Sequence, residues 1–222
     1  MWPRVIPFGL YIAVLFLEGF MPPLWPLWIY PLKMLLVLTA LVCFWSRYEE
    51  LHEPFCLSFS EGCLALGTGL VVYIAWIHMA WPWATMGQAT GYNPFQAGET
   101  LGQGLAGIRL FGASVVVPLM EELFWRSFII RFLITLFPEG VAGVTDDFTS
   151  VRLGTFTRLS FLITVLLFGS EHSLWLAGMM AGVLYNLLLY KTGRLWPCVL
   201  AHGVTNFVLG VHVLATGEWQ WW

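Results

Sequence analysis

Val115-Val116-Val117-Pro118-Leu119-Met120-Glu121-Glu122-Leu123-Phe124-Trp125-Arg126-Ser127-Phe128-Ile129-Ile130-Arg131 is the stretch that decides the fold. With its flanks, about Ile108 to Phe137, it is long enough for a membrane-crossing helix, which needs about 20 mainly apolar residues. Yet two carboxylates and two guanidiniums interrupt it. Each charge at the centre of a spanning helix costs about 2.5–3.5 kcal/mol, while each Leu, Ile, Val or Phe returns only about 0.3–0.6 kcal/mol. The charges therefore cancel most of what the apolar residues contribute, and they cannot face lipid. They must point into a bundle of other helices or toward water.

The rest of the chain supplies that bundle. Of its 222 residues, 59% are hydrophobic and 10% charged, and the mean hydropathy is +0.76. A soluble domain carries about 25% charged residues, so the solvent for most of this surface is lipid. The net charge of −3 offers no basic face and excludes nucleic acid as a partner. Thirteen Trp suit a bilayer protein because indole favours the headgroup level, and they gather near expected helix ends. The four cysteines, Cys43, Cys56, Cys63 and Cys198, form no CxxC or Cys/His cluster and read as small apolar residues.

An all-α, polytopic transmembrane helical bundle with about seven spans is expected. The first span is about Val5–Phe20, read as an uncleaved span and followed by a proline-rich turn; the second is about Trp25–Trp45. A charged loop follows at Ser46–Glu61, then a third span within Cys63–Trp83 and an extramembrane or interfacial segment at Thr85–Gly107. After the fourth helix comes a solvated loop, Pro138–Thr157. Helices at about Arg158–His172 and Leu174–Tyr190 form a tight hairpin, and Leu195–Thr216 is the seventh span. Gly193 stands where a helix would end. With the N-terminus cytoplasmic, Arg4, Arg47, Arg131, Arg152, Arg158, Lys191 and Arg194 fall on the cytoplasmic side, and only Lys33 and Arg109 outside. That asymmetry follows the positive-inside rule.

Chemistry-bearing residues lie on three helices. Glu122 and Arg126 share one face at a spacing of four and suit a salt bridge. Glu121 lies about 100° round the helix from Glu122 and is free to face something else. His172 ends Phe168-Gly169-Ser170-Glu171-His172, and His202 shares a face with Asn206 in His202-Gly203-Val204-Thr205-Asn206. A carboxylate, two imidazoles and an amide in a dry cavity supply a base, a proton shuttle and donors for a developing oxyanion, which are the needs of amide hydrolysis.

Glu121-Glu122-Leu123-Phe124-Trp125-Arg126 resembles the EExxxR motif of the CPBP membrane proteases, the CAAX-protease and bacteriocin-processing family. Phe168–His172 resembles its FxxxH motif, and His202–Asn206 its HxxxN motif. The resemblance covers about Ala106–Thr216 and includes the glycine-rich Gly178–Gly193, whereas residues 1–105 carry no family motif. Two parts are expected on this basis: N-terminal helices with an interfacial segment at 1–105, and a catalytic helical core at 106–216. Within the family, the chain resembles the exosortase-associated CAAX-protease-related branch.

The resemblance implies an intramembrane endopeptidase, expected in a bacterial plasma membrane and acting on a peptide or protein with a hydrophobic or membrane-proximal segment. It implies that Glu121 and His172 activate the attacking water, that His202 and Asn206 stabilise the oxyanion, and that Glu122 and Arg126 shape the site. The family is often classed with metalloproteases. From spacing alone, Glu121, His172 and His202 suit a zinc ion or a bare water equally. The lack of HExxH, with Asn206 beside His202, tips the expectation toward water alone. Glu171 belongs to none of the motifs, and its role stays open.

Blander readings stand beside these. Glu122 with Arg126 reads first as a structural ion pair, and either histidine alone as an interhelical contact. His212 suits a bundle contact, His52 a solvated side chain, and His78 has no evident partner. Gly178 and Gly182, at GxxxG spacing, suit close helix packing. Glu49–Glu61, Asp146 and Asp147 read as solvated. A catalytically silent scaffold of the same fold is the alternative function. A proton-coupled transporter is a third, disfavoured because no pseudo-symmetric halves are visible.

Overall fold

The computed structural model describes residues 1–22, 25–53, 55–87 and 91–222. Among these residues the regular structure is helical, with no strand. The order is α1 (Trp2–Glu18), α2 (Pro26–Cys43), the short α3 (Glu49–His52), α4 (Phe59–His78), the long α5 (Glu99–Leu136), α6 (Arg158–Ser170), α7 (Trp175–Thr192) and α8 (Leu195–Thr216). The proline-rich turn after Phe20 falls partly outside the described residues, as do residues 88–90 of the 85–107 segment.

Among the described residues, three helices are long and apolar enough to cross a membrane: α4, α5 and α8. Those expected as further spans are shorter or less apolar; α6, with 13 residues, measures about 20 Å at 1.5 Å per residue, against a hydrocarbon core of about 30 Å.

Two expected loops are partly helical. The fourth helix begins at Glu99 rather than near Ile108, so the interfacial segment ends earlier than its glycines suggest. Gly102 faces inward, and a Cβ there would lie 2.6 Å from the Phe95 ring; this glycine serves packing rather than breaking the helix. The Ser46–Glu61 stretch holds α3, and it is not simply solvated. Glu50 pairs with Arg4 at 2.5 Å and Arg131 at 3.7 Å, with its side chain only 5% exposed. Ser58 and Glu61 form a reciprocal cap at the start of α4, and Glu61 also pairs with Arg194 at 3.2 Å.

The helix ends sort by charge. Arg4, Arg131 and Arg152 line one polar pocket with Glu49, Glu50 and Glu53. Lys33 pairs with Glu18 at the far end of α1. Arg109 stands 22 residues before Arg131, about 33 Å of helix axis at 1.5 Å per residue. Asp147 caps the turn at Phe148–Ser150, and Phe148 is buried beneath the Arg4 and Arg131 guanidiniums.

Between α6 and α7 the expected hairpin is tight. A Cβ on Gly178 would sit 3.1 Å from the Gly169 Cα, and one on Gly182 3.4 Å from the Phe168 ring, so the GxxxG spacing is used within the chain. Gly193 ends α7 in the left-handed region at φ 65°. The four cysteines are free thiols, and Cys198 alone of them is buried.

Candidate active site

α5 is not a uniform helix. It runs in the wider π register over Gly112–Val116 and again over Leu123–Ile129, leaving Val117–Glu122 as one α-helical segment between them. In the first π stretch the Val117 N–H bonds to Gly112 O, five residues back. The next donor in that register would be residue 118, which is proline and has no N–H. Its expected acceptor, Ala113 O, instead accepts from the Asn206 Nδ2 of α8 at 2.8 Å. Gly203 lets the two helices meet here, because a Cβ on it would lie 2.7 Å from Ser114 O. Pi-register turns of this kind often mark functional sites.

The segment between the π stretches carries both glutamates. Glu122 is fully buried, and its Oε1 accepts from Arg126 Nη1 at 3.2 Å and from His202 Nδ1 at 2.9 Å. The expected i,i+4 pair is present, and it holds a histidine as well. Arg126 lies over the Phe168 ring at 4.2 Å and near Tyr185 at 5.2 Å. His202 stacks on Tyr185 at 5.2 Å. The Tyr185 hydroxyl donates to Thr205 Oγ1 at 2.7 Å, and Thr205 donates onward to Gly69 O on α4.

Glu121 turns the other way. It is 6% exposed, lines a cavity of about 180 Å³, and its Oε2 has no hydrogen-bond partner among the described residues. His202 Nε2 stands 3.9 Å from that oxygen, beyond hydrogen-bond reach. His172 lines the same cavity, held between Trp76 and Phe168. Its Nδ1 donates to Phe168 O at 2.7 Å. A carbonyl only accepts, so the proton sits on Nδ1 and Nε2 keeps a free lone pair.

Glu121, His172, His202 and Asn206 thus line one cavity, while Glu122 and Arg126 lie behind its wall. Among the described residues, ligand atoms within 4.8 Å of one another belong to Glu121, Glu171 and His172, while His202 bonds Glu122 through Nδ1. Glu171, directly before His172 at the end of an apolar helix, was visible in the sequence as an unexplained charge. Tyr11, Trp76 and Tyr185 also line the cavity, and no motif distinguished them from other core aromatics. His212 bonds the Tyr73 hydroxyl at 3.0 Å, and His78 bonds Ile74 O within its own helix.

Residues 104–208 match the family model of the type II CAAX prenyl endopeptidase Rce1-like proteins. The chain is a membrane protease with an Rce1-like domain. No curated protein and no solved structure matches it. The Rce1-like match takes in every motif residue from Glu121 to Asn206. The cavity draws in residues outside it as well: Tyr11 from α1, Val72 and Trp76 from α4, and Trp221 and Trp222 after α8. The N-terminal helices therefore help to build the wall of the Rce1-like cavity.

Proposed function

We propose that this protease hydrolyses a peptide bond at membrane depth with a water activated by Glu121 and His172. The observation that carries this reading is the buried Glu121 Oε2, unpartnered and facing the cavity beside the free Nε2 of His172. Glu121 takes the proton as water attacks the carbonyl carbon, then passes it to the leaving amine. His202, held through Nδ1 by Glu122, presents Nε2 on the cavity side to stabilise the oxyanion, joined by the second Asn206 amide proton. Glu122 and Arg126 act by positioning.

A divalent cation also fits the residues present. Glu121, Glu171 and His172 offer three donors, the number found at catalytic zinc sites, and the Nδ1 bond of His172 to a carbonyl leaves Nε2 oriented as a ligand. Such an ion would polarise the carbonyl and acidify a bound water. The water-only route is favoured because Glu121, His172, His202 and Asn206 already supply base and donors. The substrate is a peptide or protein with a hydrophobic segment, and the Rce1-like domain makes a prenylated C-terminal peptide the first to try.

A single turnover in ¹⁸O-labelled water tests the attack: the heavy label in the new product carboxylate is expected. Unlabelled product would place an acyl-enzyme on a glutamate instead. Elemental analysis of active, chelator-washed protein tests the metal. Turnover without stoichiometric metal is expected; loss of turnover on metal removal and recovery on its return would overturn the water-only route.

A further inference from the structure

Arg109 is the charged residue in the cavity that the chemistry above does not use. It lines the same cavity as Glu121, together with Tyr30 and Trp222. Its guanidinium lies 4.3 Å from the Tyr30 ring centroid and 5.2 Å from that of Tyr92. Its Nε is buried with no hydrogen-bond partner among the described residues. No described carboxylate stands within ion-pair distance of it: Glu18 is taken by Lys33 at 2.9 Å, and Glu218 by His212 at 3.1 Å. A charge inside a membrane bundle normally pairs with another or marks a substrate path, and among the described residues this one has a hydrogen bond with the Tyr30 side chain but no carboxylate partner.

We propose that Arg109 is a binding residue for a carboxylate of the peptide substrate. The inference rests on the protease reading and adds a second anchor to it. A guanidinium is planar and takes a carboxylate by two parallel N–H···O bonds, and the flanking tyrosine faces hold it against the wall. Twelve residues of α5 separate Arg109 from Glu121, about 18 Å of helix at 1.5 Å per residue. Fully extended peptide covers about 3.3–3.6 Å per residue, so about five extended residues between the carboxylate and the bond that is cut match that rise. Both the free C-terminus of the peptide and an acidic side chain near it offer this chemistry.

Binding to full-length Glu121→Gln protein in detergent tests this without turnover. The probes are a fluorescent, apolar peptide of about ten residues as the free acid, as the C-terminal amide, and as the amide with one Glu near its end. The free acid is expected to bind about 10- to 100-fold tighter than the plain amide. Adding Arg109→Gln should remove that preference, and Arg109→Lys, which keeps charge but loses the fork, should keep only part of it. A Glu-bearing amide as tight as the free acid assigns the carboxylate to a side chain; one as weak as the plain amide assigns it to the C-terminus. A preference that survives unchanged in Arg109→Gln, or its absence in the Glu121→Gln protein, overturns the proposal. Should Arg109→Gln fail to fold, the Arg109→Lys comparison decides in the same way. Wild-type protein that shows the Arg109-dependent preference yet cuts none of these peptides contradicts the protease reading and leaves the carboxylate site standing.

Discussion

Glu121 and Glu122 are adjacent, chemically identical, and placed in opposite circumstances. Glu122 answers two buried donors, Arg126 and His202, whereas Glu121 leaves an oxygen unpaired in the cavity. Glu122→Ala strands a buried guanidinium and should cost about 3–5 kcal/mol, read as a fall in melting temperature in detergent. Glu121→Gln keeps size and hydrogen bonding, so it should melt like wild type and lose turnover. Equal, wild-type-like melting of both variants would sink the division of roles. At this scale the sequence was largely legible, because charges in an apolar helix have few reasons to exist and their spacing announced the ion pair. Glu171 and Arg109 were harder to read: each lacks a partner at helical spacing, and only the fold shows what they face.

Helix identity was legible from apolar length, and α8 ends where expected, at Thr216. The π stretches of α5 were not, since hydrophobic periodicity does not distinguish one extra residue per turn. Pro118 is the sequence mark of the first of them, and its consequence lies on another helix, where Asn206 takes up Ala113 O. Asn206→Ala leaves that carbonyl unpaired and should cost about 1–3 kcal/mol. In a Pro118→Ala background the restored N–H competes for the same carbonyl, so the Asn206→Ala cost should shrink. Additive losses in that double-mutant cycle would show that the two residues do not share the acceptor. The early start of α5 escaped the sequence for a related reason, because glycine serves close packing and chain breaking alike.

Away from the active site, the densest knot of charge joins parts far apart in sequence. Glu50 ties Arg4 of α1 to Arg131 of α5, and Ser127 also donates to it. Burial pushes the Glu50 carboxyl up, but bonding to Arg4 and Ser127 more than offsets this, and the net shift is downward. A depressed folded pKa gives stability that is present above the ordinary carboxylate value of 4.5 and lost as pH falls through the folded one. Wild type should therefore melt well above Glu50→Gln near neutral pH, and the gap should narrow on acidification below 4.5. A gap that holds constant with pH would deny Glu50 this role. The arginine-rich end should be cytoplasmic. On a cysteine-free background, a cysteine at position 150 should be labelled from the cytoplasmic face and one at position 93 from the other; labelling at 150 only from outside would overturn that orientation.

Proteolysis that depends on Glu121 is the claim on which the other roles rest. Purified wild type and Glu121→Gln, matched in melting temperature, are incubated with the same apolar membrane peptides, and the products are read by mass spectrometry. Cleavage at a defined bond by wild type, with none above background from Glu121→Gln, is the predicted result. Equal cleavage by both proteins would contradict the account.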